Sequence, residues 1–131
     1  MEYKVKNPSI WGEEWFCKLD LIHQLLYMYV YQYADSTGIY HVDLRKFEDV
    51  TKTKINNGDF LEQVNEDKKR ISLMPDNKWF LHYLLSEQHS HFYHIKNKSL
   101  NIRLHQLKTA GVPASWIKGF ENFDELKEIY Q

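Results

Sequence analysis

Between residues 19 and 33 the chain repeats apolar side chains at spacings of three and four: Ile22, Leu25, Leu26, Tyr29, Val30 and Tyr33, with Leu21 and Met28 lining a second side. Asp20 is placed to cap this segment. A helix that is apolar over more than half of its surface belongs at the centre of a small domain, and everything else must pack around it. Its tyrosines at 27, 29, 31 and 33 form an aromatic stripe that reads as core in preference to a stacking platform for bases. With 131 residues, 43% of them hydrophobic and 15% aromatic, the chain can bury such a helix within one domain without staples.

The turn-forming run Asp35-Ser36-Thr37-Gly38 ends the helix, and Ile39, Tyr40 and Val42 follow as a short strand. Asp43 then suits an N-cap, with Leu44, Phe47 and Val50 forming one stripe of a short helix. Past Thr51 and Lys52 a second helix can be drawn from about Ile55 or Asn57 to Asn65, burying Ile55, Phe60 or Leu61, and Val64. Gly58 weakens it, because a helical glycine costs about 1 kcal/mol and Asn-Gly also suits a hairpin turn. Residues 70–74 and 78–85 read as two strands around the turn Pro75-Asp76-Asn77. Helix, strand, helix, helix, hairpin is the order of a winged helix-turn-helix, so the predicted class is α+β and mostly helical. Residues 1–90 form that domain, with a loose leader over 1–8 and a short docked helix around Trp15. Residues 91–131 add a helical extension packed on it, with helices over 99–109, 114–120 and 123–130.

In this arrangement Lys52, Thr53, Lys54, Asn56, Asn57 and Gln63 point outward at the leading end of the second helix, where cations and amides meet phosphates and base edges together. Lys68, Lys69, Arg70 and Lys78 lie at the following turn and on the wing, where they can neutralise phosphates. The net charge is -1, but residues 51–108 carry ten Lys or Arg against six Asp or Glu, a confined basic middle on an acidic body.

Other classes are poorly supported. The single cysteine, Cys17, excludes an internal disulfide and any multi-cysteine zinc site, and reads as a small buried or half-buried hydrophobe. No apolar run reaches the roughly eighteen residues of a membrane span, and the N-terminus lacks a signal-peptide pattern, so the expected location is the cytoplasm. His82, His89, His91 and His94 form the one metal-like group, but a polar loop leaves such rings solvated or stacked on Phe92 and Tyr93, and no metal or other cofactor is expected. There is no phosphate loop, nucleophile elbow or His-Glu-x-x-His, and no enzyme is expected.

Trp11 and Trp15, Leu25-Leu26-Tyr27, Gly38-Ile39-Tyr40, Arg70-Ile71, Trp79 and Gln88 occur in an order that resembles the N-terminal winged-helix domains of phage replisome-organiser and DnaD-type replication initiation proteins. The resemblance spans residues 10–88. It implies a non-enzymatic phage or mobile-element protein in a bacterial host, binding double-stranded DNA in replication or transcription control, with a replication or host protein as partner and a homodimer as one assembly. The chain ends soon after the winged helix, so the expectation is that it lacks the helicase-contacting helical domain of such proteins. The alternative is a protein-interaction module, an adaptor or inhibitor, with Trp116, Phe120 and Tyr130 as anchors. A plainer reading docks those three on the core.

Overall fold

Asp20 starts the long helix through its backbone: its carbonyl accepts from His23 and Gln24, both at 2.9 Å. A computed structural model of the chain describes residues 10–88 and 98–131. After a 3-10 turn at Ile10–Gly12 come α1 (Glu14–Cys17), α2 (Leu21–Tyr33), β1 (Ile39–His41), α3 (Arg45–Thr51), α4 (Asn57–Val64), β2 (Ile71–Met74) and β3 (Lys78–Leu81). The remaining elements are α5 (Leu84–Gln88), α6 (Lys98–Thr109), a 3-10 turn at Ala114–Trp116 and α7 (Asp124–Ile129). The described residues are α+β and mostly helical, with an antiparallel sheet in the order β1-β3-β2. No described helix is long and apolar enough to cross a membrane.

The central strand serves two cores. Side chains alternate across a strand, so Trp79 and Leu81 go to one face of the sheet and Phe80 to the other. On the first face they join Phe16, Leu26, Tyr27, Val30, Phe47, Phe60 and Val64. On the second, Phe80 and Ile39 pack with Leu85, Leu100, Leu104, Leu107, Ile117 and Phe120. The register pairs Tyr40 and Leu73 with Trp79, and Ile39 and Ser72 with Phe80.

Two local devices set this geometry. Asp35 Oδ1 accepts from the Thr37 and Ile39 N–H groups, at 2.9 and 3.1 Å, and from the Thr37 hydroxyl, which turns the chain from α2 into β1. Gly38 follows at φ 101°, where a Cβ would stand 2.8 Å from the Leu81 carbonyl oxygen. At the hairpin, Asp76 and Asn77 are both left-handed, at φ 65° and 58°. Asn77 is bolted to the end of β1, since its carbonyl accepts from Val42 N–H at 3.0 Å and its amide donates to the Val42 carbonyl at 3.2 Å.

Several sequence expectations are corrected. The buried stripe of α2 is His23, Leu26, Tyr27 and Val30, so Leu21, Leu25, Met28 and Tyr33 face outward; Val50 is exposed too. Cys17 is exposed, its Sγ donating to the Trp11 carbonyl at 3.0 Å. The strand drawn over 78–85 stops at Leu81. Leu84 and Leu85 fall instead on α5, each in a different core. The plainer reading of Trp116, Phe120 and Tyr130 as tail residues docked on the core is the one that fits: Phe120 is buried, Trp116 stacks on Phe80 while staying partly exposed, and Tyr130 donates to the Val112 carbonyl at 2.8 Å. The leader over 1–8 lies outside the described residues.

Candidate functional site

The turn between α3 and α4 is built by Glu48. Its carbonyl accepts from Lys52 and Thr53 N–H, and its carboxylate accepts from Ile55 N–H at 2.8 Å. Lys52 adopts the left-handed conformation, φ 55°, which ends α3. Asn56 then caps α4, its Oδ1 accepting from Asp59 N–H at 3.1 Å. So anchored, the turn leaves Lys52, Lys54, Asn56 and Asn57 exposed, and neither lysine forms an ion pair among the described residues. Thr53 is half-buried and its hydroxyl is spent on the Thr51 carbonyl at 3.1 Å. Along the rest of α4 the exposed charges are acidic, Asp59 and Glu62, with Glu66 just beyond. A polyanion can therefore approach the leading turn of α4 but is repelled from its flank.

Gln63 does not reach outward. Its amide donates to Asp20 Oδ2 at 3.0 Å, and its Oε1 accepts from His23 Nδ1 at 2.7 Å and from Asp20 N–H at 3.3 Å. It bolts α4 to the start of α2, and His23 completes the contact with its ring edge-on to Phe60. Arg70 is also withdrawn, only 4% exposed. Its guanidinium donates to the Val64 carbonyl and to both Asp67 carboxylate oxygens, and lies 3.8 Å over the Trp15 ring. Asp67 is held down at about 2 by that partner. Such a cation is a fastener: its charge is matched by Asp67 and its burial keeps it from a phosphate.

The other cations are dispersed. Lys68 sits 4.5 Å over the Tyr83 ring, and Lys69 is exposed beside His82. Lys78 is half-buried at the start of β3, opposite Met74 and His41. Arg45 is engaged by Asp43, whose carboxyl its side chain holds at about 2. His82 is buried, with Nε2 and Ser72 Oγ sharing a 2.6 Å hydrogen bond; His89, His91 and His94 lie outside the described residues. Among the described residues no three His, Cys, Asp or Glu side chains converge as a metal site would require.

Sequence reasoning did not find the Asp20–His23–Gln63 bolt or the Ser72–His82 pair. The second had a signal: counting outward from the turn at 75–77 brings residues 72 and 82 near one another on the same face. Set against known families, curated proteins and solved structures, the chain matches no family model, no curated protein and no solved structure.

Proposed function

We propose that the chain is a non-enzymatic winged-helix DNA-binding protein of a phage or mobile element, acting in replication or transcription control. The element order from α2 to β3, with β1 paired to the outer side of a β2–β3 hairpin, supports a winged helix in which α3 and α4 are the helix-turn-helix and residues 75–77 the wing tip. The observation that carries the reading is the exposed set Lys52, Lys54, Asn56 and Asn57 at the leading end of α4, with both lysines unpaired. Contact is through that turn, with Lys78 and Lys68 adding charge, while Gln63 and Arg70 support it from inside. A phosphate lost from the contact set reduces the salt slope by roughly one. Neutralising Lys52, Lys54 and Lys78 together is therefore expected to weaken duplex binding and flatten its dependence on log salt by about three. Unchanged affinity and slope would sink the assignment.

A second reading, a protein-interaction module, is favoured by one observation. Leu21, Leu25 and Met28, which are 67, 41 and 40% exposed, make an apolar stripe along the outer side of α2. Failure of the intact protein to bind either duplex or single-stranded DNA moves the weight to this reading.

A further inference from the structure

On the sheet face that carries Phe80, Ser72 and His82 are 4% and 2% exposed, and they form the inner wall of an open cleft of about 510 Å³. His82 Nδ1 is buried and lies near the Trp116 carbonyl, with no full hydrogen bond to it. The other walls of the cleft are Leu73, Ser115, Trp116, Lys69 and Lys118. None of the lining residues is acidic, and among the described residues neither lysine forms an ion pair. The indole of Trp116 is stacked 6.1 Å from Phe80 and tilted at 5.6 Å from the His82 ring. Burial first, and then the charges of Lys118 and Lys69, lower the His82 imidazole to about 4, with the Trp116 carbonyl pulling the other way. The floor is therefore neutral at pH 7 and the positive charge is confined to the two lysines.

This combination selects a ligand class. Two unpaired ammonium groups match a doubly charged phosphate in charge, and Lys binds phosphate as a point charge. An indole beside an exposed leucine adds a surface for a flat apolar body. We propose that the cleft binds a phosphomonoester borne on a planar group, such as a nucleoside 5′-monophosphate, with Lys69 and Lys118 neutralising the phosphate, Ser115 donating to it and Trp116 receiving the base. The phosphate can belong to a free nucleotide or to the 5′ end of a DNA strand. Lys69 is shared with the expected phosphate contacts, but none of Lys52, Lys54 and Lys78 lines the cleft, so mononucleotide binding and the duplex salt slope carried by those three lysines fail separately.

The test titrates the intact protein with a nucleoside 5′-monophosphate, the bare nucleoside and inorganic phosphate, following the His82 and Trp116 side-chain resonances and the heat of binding. The nucleotide is expected to move both sets of resonances and to bind at least roughly tenfold tighter than the nucleoside. Lys69→Gln with Lys118→Gln is expected to remove that advantage at unchanged melting temperature, and Lys118→Arg to keep part of it. Resonances unmoved at ~10 mM nucleotide overturn the proposal, as does a double variant or a bare nucleoside that binds equally well. A short single strand with a 5′-phosphate, set against its 5′-hydroxyl counterpart, then tells a strand terminus from a free nucleotide; either source satisfies the proposal.

Discussion

Arg70 and His82 show how single polar side chains are accommodated here. Arg70 is buried with its charge matched by Asp67, one donor given to a carbonyl, and its flat face against Trp15. His82 is buried neutral, and that gives stability a pH dependence of definite sign. Its folded pKa of about 4 lies below the ordinary 6.5, so the unfolded chain binds more protons between those values. Its contribution is therefore fully present above pH 6.5 and is lost as pH falls through the window, up to about 3 kcal/mol in all. Denaturant titrations at pH 7 and 4.5 are expected to show this loss in the native chain and little of it in His82→Gln. Asp43 and Asp67, held at about 2, act in a separate window below 3.8, whereas Glu87, raised by burial, acts inside the window with the opposite sign, so the difference between the native chain and His82→Gln isolates the imidazole.

At the level of elements, the α2–β1 corner depends on a residue without a side chain. Gly38→Ala places a methyl 2.8 Å from the Leu81 carbonyl at a φ that alanine rarely adopts. It is expected to cost about 1–3 kcal/mol from backbone strain alone, measured as a lower denaturant midpoint at unchanged slope. Gly38 also shows what the sequence could reveal: its turn, like the hairpin at 75–77 and the order of helices and strands, is written in neighbouring residues. The orientation of α2 was not. With apolar residues nearly all round, its pattern cannot choose a buried side, and the choice falls to His23, which meets Gln63 forty residues away. The same holds at the candidate site. Lys52, Lys54, Asn56 and Asn57 stay exposed because local capping fixes the turn, whereas Arg70 turns inward because Trp15 waits there. The strand predicted to Leu85 failed for a related reason, since a continuous apolar run suits a strand or a helix until the cores on either side are known.

For the whole molecule, the decisive feature is a sheet covered on both faces. The second core is assembled from β1, β3, α5 and the segments after residue 97, so its loss should not be confined to the C-terminal third. Leu104→Ala, at a fully buried position, is expected to cost about 2–5 kcal/mol. The unfolding transition should shift as one when followed by near-ultraviolet dichroism, which senses Trp79 and Trp116, and by far-ultraviolet dichroism; a separate early transition in the tail would show that the two cores are uncoupled. Gly119 adds to that coupling, because a Cβ there would come within 2.5 Å of Ser86 Cβ.

The hairpin tip has an unusual standing in such a design. An exposed loop end is ordinarily where a chain tolerates an inserted residue. Here Asp76 and Asn77 fix the frame in which Trp79 and Phe80 are dealt to opposite sides, and Val42 clamps that frame from the neighbouring strand. Slippage by a single position would send the indole where the phenyl ring belongs and the phenyl ring where the indole belongs. A solvent-facing corner thus keeps the count for both interiors at once.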